Sequence, residues 1–234
     1  MIKSDGIHGL NDALSYGSKN ASNVKQYNTL LLLFAALALL ISGCAIKIPV
    51  STSMKVQNIP TKKVNKKMLV VMSKEQEQKI ILYKKSALAN PFLFEAGKSV
   101  SLNLTQAMQV MFSSAEFSND ESSSGGTYDF VLVAEIKDAK FDFPFLSTAD
   151  KRVNVYIDYD LFGTDRGKLL HLSTDGNSIA QASVAEKVLV FFPVLWSTRG
   201  NMEIDRIGQA WDLAVINSIT QVMDSMSRQF DNKQ

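Results

Sequence analysis

An apolar run of twelve residues, from Leu30 to Ile41, stands just before the only cysteine of the chain, Cys44. A helix that crosses about 30 Å of hydrocarbon needs roughly 20 apolar residues, so this run is too short for a stable membrane span. A weakly basic leader before the run and small residues after it are typical of a secretory signal. The pattern therefore predicts that residues 1–43 are a signal peptide that is cut away.

The tetrapeptide Ile41-Ser42-Gly43-Cys44 resembles the lipobox of bacterial lipoproteins. In that family, the signal peptidase needs small side chains next to the cut, and the cysteine thiol carries a diacylglyceryl group. The resemblance implies that Ile41, Ser42 and Gly43 are the recognition residues and that Cys44 becomes an N-acylated first residue. Two or three acyl chains anchor a protein almost permanently, whereas one gives only marginal binding. The alternative is that Cys44 is a free thiol ending a signal-anchor helix.

Composition limits the remaining possibilities. The 25 basic and 23 acidic residues nearly balance, so no broad cationic surface for nucleic acid is predicted. With one cysteine, the chain has no intramolecular disulfide, which a domain of this length does not need. No cofactor is expected other than the covalent diacylglyceryl and N-acyl groups on Cys44.

Residues 44–67 contain two prolines, small polar residues and a basic cluster, which predicts a flexible tether. The cluster comprises Lys62, Lys63, Lys66 and Lys67. Its lysines either keep the linker solvated, which charge runs usually do, or lie against anionic lipid headgroups. The rest of the chain, 68–234, is predicted to be a single domain.

Hydrophobic periodicity predicts an α+β fold for this domain, with two helices packed on one face of a mostly antiparallel sheet of about four to six strands. A strand hairpin is expected from 68–73 and 79–84, and a polar loop over 118–126. Helices are expected over 99–112 and 202–230, and strands over 128–136, 153–162 and 168–181. The last two strands are joined by the turn Gly163 to Gly167, and the first of them alternates apolar and polar residues.

This order of elements resembles several small periplasm-facing envelope lipoproteins. They include the lipopolysaccharide-assembly lipoprotein, the auxiliary lipoproteins of lipid-trafficking ABC transporters, and the YajG-like group. The lipobox is the specific match, and the remainder is a similarity of layout. The resemblance implies an accessory role in the cell envelope.

Residues with catalytic potential are few. His171 is the only histidine after the lipobox, so neither a zinc site nor a serine triad is predicted, and no metal is expected. Asp158 and Asp160 share a strand face, and such paired acids usually serve solvation rather than glycan hydrolysis. Glycine-rich phosphate loops and Gly-x-Ser-x-Gly motifs are absent from the sequence. The chain is therefore predicted not to be an enzyme.

Two stretches, 141–146 and 188–196, place a proline among aromatic residues, and proline is excluded from central strands. These stretches predict either a loop that buries its own aromatics or an exposed docking patch for lipid or a protein. The residues of that candidate patch are Phe143, Phe145, Phe191, Phe192 and Trp196.

Together these features predict a non-enzymatic, lipid-anchored envelope protein that acts as an accessory or docking component of an envelope assembly or transport system. The expected partners are the membrane and an envelope protein. The alternative is a periplasmic lipid-handling module with an apolar cleft. In the lipoproteins it resembles, an aspartate after the cysteine retains the product in the inner membrane. Ala45 stands at that place, which predicts a periplasm-facing position on the outer membrane.

Overall fold

The computed structural model describes residues 45–50, 63–86, 90–120, 128–144, 149–183 and 196–231, without the side chains of residues 196–199 and 231. The chain divides into two compact units. The first comprises Met1–Ala45 and Leu88–Asn90, and of these residues the structure describes Ala45 and Asn90. All elements belong to a second unit, Ile46–Ala87 with Pro91–Gln234. In chain order they are β1 (Ile46–Lys47), β2 (Val64–Val71), α1 (Lys74–Glu77), β3 (Ile81–Tyr83), β4 (Phe92–Phe94), α2 (Ala96–Met111), β5 (Phe112–Ser118), β6 (Phe130–Asp142), β7 (Lys151–Phe162), β8 (Lys168–Ala180) and α3 (Trp196–Asp231).

The large sheet has five strands in the order β5-β2-β6-β7-β8, which confirms the predicted α+β class. β6, β7 and β8 form the expected antiparallel meander. The sheet is more mixed than predicted, because β2 is parallel to both of its neighbours. β2 and β5 can pair in parallel because the connection between them contains α2. This helix returns the chain to the end of the sheet at which β2 begins, as a parallel pair requires.

The predicted hairpin of 68–73 and 79–84 is wrong. The first segment belongs to β2 in the large sheet, whereas the second contains β3, the edge strand of a three-stranded sheet with the order β1-β4-β3. The chain changes direction between them because residues 74–77 form the short helix α1 instead of a turn. Ser73 caps this helix, since its Oγ accepts a hydrogen bond of 3.2 Å from the backbone N–H of Gln76.

The predicted tether is part of the fold at both of its described ends. Ile46 and Lys47 pair in parallel with Phe92 and Leu93 of β4, and the next residue, Ile48, is fully buried. At the other end, β2 begins at Val64, so the first four of its eight residues, 64–67, belong to the predicted tether. The chain is therefore held by β-pairing and core packing on both sides of residues 51–62.

The core lies between the large sheet and the two long helices, which pack on the same face of it. The alternation predicted for β7 is confirmed, because one face of the strand is buried along its length. These buried residues are Val153, Val155, Ile157, Tyr159 and Leu161. α3 begins at Trp196, earlier than predicted, and its buried Trp211 lies 5.1 Å from the ring of Phe94 and 6.2 Å from that of Phe141.

A small polar network joins α3 to the sheet inside this core. The hydroxyl of Ser218 lies 3.1 Å from the Tyr159 hydroxyl and 2.5 Å from Thr174 Oγ1, which donates to the carbonyl of Ile157 at 3.0 Å. Burial raises the pKa of Tyr159 above its ordinary range, so this side chain stays neutral. Every hydroxyl of the network has a partner, and the network fixes the position of α3 along β7 and β8.

Candidate functional site

A concave surface runs beside α2, and we call it the α2 groove. Its volume is about 670 Å³ and it is open to solvent. One wall comes from α1 and the residues after it, the floor from α2, and the end from β5. The lining residues are Glu77, Gln78, Lys79, Ile80, Glu95, Lys98, Ser101, Leu102, Thr105, Gln106, Gln109 and Phe117.

The wall formed by α1 is held rigidly against β6. β6 pairs with β2 only as far as Val133, and a bulge follows Ile136, so the backbone of Ile136 has no strand partner on that side. Instead, its N–H donates to Gln76 Oε1 at 3.1 Å and its carbonyl accepts from Lys79 Nζ at 2.5 Å. The polar side chains of 74–79 thus take the place of a strand and form the wall of the groove.

Gly97 allows α1 and α2 to approach each other closely. Its N–H donates to the carbonyl of Lys79 at 3.0 Å, and a Cβ on this residue would overlap the carbonyl oxygens of Gln76 and Glu77. The helix predicted over 99–112 begins earlier, at Ala96, so Gly97 lies in its first turn. The glycine is required here for close backbone approach.

Charges at the groove are of both signs. Glu77 accepts a hydrogen bond of 2.9 Å from the amide of Asn119, and Glu95 forms an ion pair of 2.7 Å with Lys47. The hydrogen bond from Lys47 holds the pKa of Glu95 below its usual value, and the charge of Lys98 acts in the same direction. Glu95 is therefore a stable carboxylate at neutral pH.

The lining gives the α2 groove its chemical character. Apart from Ile80, Leu102 and Phe117, every lining side chain ends in a polar or charged group. Long polar side chains offer methylene stems for packing and amide or ammonium groups for hydrogen bonding. Such a surface suits an extended protein segment, whose backbone needs hydrogen-bond partners, better than a bare acyl chain.

The carboxylates singled out in the sequence lie on the face of the large sheet opposite the helices. Asp160 Oδ1 is 2.6 Å from His171 Nδ1 and 3.0 Å from Lys168 Nζ, and Asp158 is 3.5 Å from Lys137 Nζ. Partial burial opposes a low pKa for Asp160, but the hydrogen bonds from His171 and Lys168 outweigh it and lower the pKa. Both acids are therefore engaged in ion pairs or hydrogen bonds with basic side chains on this face.

A buried charged cluster lies where β7 meets α3. Lys151 is fully buried and its Nζ is 2.8 Å from Glu203 Oε1, which also lies 4.0 Å from Lys85 Nζ. Burial lowers the pKa of Lys85, the neighbouring charge of Lys151 lowers it further, and Glu203 opposes both. Periodicity alone did not reveal this cluster, because Lys151 stands at the start of a strand, where lysine is normally solvated.

The predicted docking patch is described at one side chain, Phe143, and there the prediction is wrong. Phe143 is only 4% exposed, because its ring packs edge-on against Tyr83 at 4.9 Å and Phe141 at 5.5 Å. The alternative prediction, that the stretch buries its own aromatics, describes this residue. Outside the described residues or side chains lie Cys44, Ile41, Ser42, Gly43, Phe145, Phe191, Phe192 and Trp196.

Two further properties concern only the parts of the chain that the structure describes. In those ranges, no three histidine, cysteine, aspartate or glutamate side chains are grouped as a metal site would need. The helices of the same ranges include none that is both long enough and apolar enough to cross a bilayer.

The α2 groove does not follow from the predicted hairpin, in which residues 74–78 are a polar connection between two strands. A signal was present: Ser73 precedes Gln76 by three residues, the spacing of a capping box. That spacing indicates a helix start, and a helix at this point predicts the wall of the groove.

Comparison with known proteins identifies a shared fold. No family model and no curated protein matches the sequence. Among solved structures, protein XCC0632 from Xanthomonas campestris, of the family DUF330, is 9% identical with a TM-score of 0.51, over 82% of this chain and 100% of that one. More distant are the PelC dodecamer from Paraburkholderia phytofirmans (12% identity, TM-score 0.31, 67% and 93% coverage) and lipoprotein GNA1162 from Neisseria meningitidis (10%, 0.29, 58% and 99%). At such low identity, the similarity to XCC0632 extends to the fold alone.

Proposed function

We propose that the chain is a lipid-anchored, non-enzymatic envelope protein that acts as a docking component of an envelope assembly or transport system. The observation that carries the proposal is the position of β1. The lipobox ends at Cys44, and Ile46, two residues later, already pairs with Phe92 of the folded domain. Cleavage before Cys44 would leave this domain intact and place the acylated residue directly at its edge.

Docking is assigned to the α2 groove because of its lining. The groove combines exposed apolar side chains, such as Ile80, with the polar ends of Gln78 and Thr105. A protein segment that enters it finds partners for its backbone as well as apolar contact. The lipid-handling alternative requires a cleft lined mainly by apolar side chains, and the α2 groove has only three.

The anchor is tested by replacing the residue that would carry it. In cells supplied with a radioactive fatty acid, the wild-type chain should be labelled and sediment with membranes. Cys44→Ala should lose the label and either remain an uncleaved precursor or leave the membrane fraction. Label retained on Cys44→Ala would contradict the proposal. Density-gradient fractionation then tests the outer-membrane position predicted from Ala45, and co-sedimentation with inner-membrane markers alone would contradict it.

Docking is tested by cross-linking in the cell. A photoreactive amino acid is placed at Leu102 inside the groove and, as a control, at the exposed Ser173 on the opposite sheet face. We expect a discrete protein adduct from position 102 that weakens in the Cys44→Ala background, and none from position 173. Equal adducts from both positions would contradict docking in the groove. Stoichiometric lipid extracted from the purified protein would favour the lipid-handling alternative.

A further inference from the structure

The small sheet has an inner and an outer face that differ in character. Register places Lys47, Leu93 and Leu82 side by side across β1, β4 and β3, and the exposed Lys84 directly follows the last residue of β3. We call these four residues the outer face of the small sheet. The inner face, with Ile46, Tyr83, Phe92 and Phe94 among its members, packs into the core.

The outer face is unusual in exposing a large aliphatic side chain between lysines. Leu82 is 61% exposed, the highest value among the large hydrophobic residues exposed in the described ranges. Lys84, two residues later, and Lys47, on the far side of β4, are also exposed. Glu95 is the acidic neighbour, and it is already paired with Lys47. Exposed aliphatic residues flanked by lysines are characteristic of surfaces that lie in a membrane interface.

The position of the anchor decides what covers this face. Two residues of extended chain span at most about 7 Å, so an acylated Cys44 keeps the bilayer surface within that reach of the start of β1. Lys47 is one residue further along and belongs to the outer face. Ile46 is fixed by its hydrogen bond of 2.8 Å to the carbonyl of Pro91 and Ile48 by core burial, so the first strand of the domain begins two residues after Cys44 in the sequence.

We propose that the outer face of the small sheet rests on the lipid bilayer, with Leu82 entering the interface and Lys84 contacting anionic headgroups. The inference rests on the proposed acylation of Cys44 and deepens it, since it gives the domain a fixed orientation. Tyr83 of the small sheet lies 5.1 Å from Phe141, at the end of the large sheet where β7 begins, and the turn between β7 and β8 lies at the opposite end. β7 alone separates the two ends by roughly 35 Å, at about 3.3 Å per residue.

The test uses the full lipidated chain in vesicles of phosphatidylethanolamine and phosphatidylglycerol. Because acylation blocks Cys44, a cysteine introduced elsewhere is the only free thiol and takes a single fluorescent label. One variant is Leu82→Cys, and the control is Thr164→Cys, an exposed position in the turn between β7 and β8. Nitroxide-bearing lipid quenches a label that touches the membrane.

We expect several-fold stronger quenching at position 82 than at position 164, and a reduced difference when Lys84→Glu is added. Flotation of the vesicles separates the two hypotheses. If the protein floats with the vesicles but both labels are quenched equally, the proposed acyl anchor is supported and the proposed orientation is wrong. If the protein does not float, the acyl anchor is absent, and the orientation is overturned together with it.

Discussion

Gly176 of β8 lies directly against the backbone of Ala214 in α3. A Cβ on Gly176 would overlap the carbonyl oxygen of Ala214 and approach the Cβ of Ser218 to 2.8 Å. On either side of this point, α3 donates to the strand, from Asn217 to the carbonyl of Asn177 at 2.6 Å and from Gln221 to that of Asp175 at 3.0 Å. These bonds also occupy carbonyls of an edge strand that a second chain could otherwise pair with.

Gly176→Ala should therefore destabilise the domain. The added methyl group forces α3 away from β8, and such overpacking typically costs about 1–3 kcal/mol. Gly200→Ala in α3 is the matched control, because within the described residues no atom outside its own stretch of helix lies within 4 Å of its Cβ position, and alanine favours a helix by about 0.5–1 kcal/mol. Urea unfolding of the purified chain should give opposite signs for the two variants. Equal midpoints would contradict the close contact.

Removing the carboxylate of Glu203 should be among the most costly single changes. Glu203→Gln leaves Lys151 buried without its charge partner and next to Lys85, which should reduce the free energy of unfolding by about 3–5 kcal/mol. The exposed pair Glu135 and Lys137 supplies a control, since Glu135→Gln should change stability by less than about 1 kcal/mol. Thermal melts compare the two. A small effect of Glu203→Gln would show that Lys151 reaches water.

Elements specified by residues close together in the sequence could be predicted, whereas contacts between residues distant in the sequence could not. The helix containing Leu104 and the strand containing Ile157 are specified by local periodicity, and both were predicted. The pairing of Ile46 with Phe92 joins residues far apart in sequence, and a run rich in lysine and proline gives no local signal for it. The α2 groove likewise depends on Lys79 reaching the carbonyl of Ile136. Such contacts follow from the topology, which single-sequence patterns do not determine.

The Ser218 network predicts an asymmetry between its members. Ser218→Ala removes the shared partner of two buried hydroxyls, those of Tyr159 and Thr174, and should cost about 1–3 kcal/mol. Tyr159→Phe removes one hydroxyl and leaves Ser218 bonded to Thr174, so it should cost about 1 kcal/mol or less. Denaturant midpoints at neutral pH measure both, and a larger loss for Tyr159→Phe would contradict the network.

Asp160 should make stability depend on acid pH. Because hydrogen bonds from His171 and Lys168 lower its pKa in the folded protein, partial burial notwithstanding, its carboxylate contributes stability above the unfolded pKa of about 3.9. That contribution is lost as the pH falls through the lower folded value. The stability difference between wild type and Asp160→Asn should thus favour wild type at pH 5, at less than about 1 kcal/mol, and shrink toward pH 2. In a His171→Gln background, the stability difference caused by Asp160→Asn should fall to roughly half, because one of the two hydrogen-bond donors to Asp160 is weakened. A difference that grows on acidification would show that burial, not hydrogen bonding, dominates at Asp160.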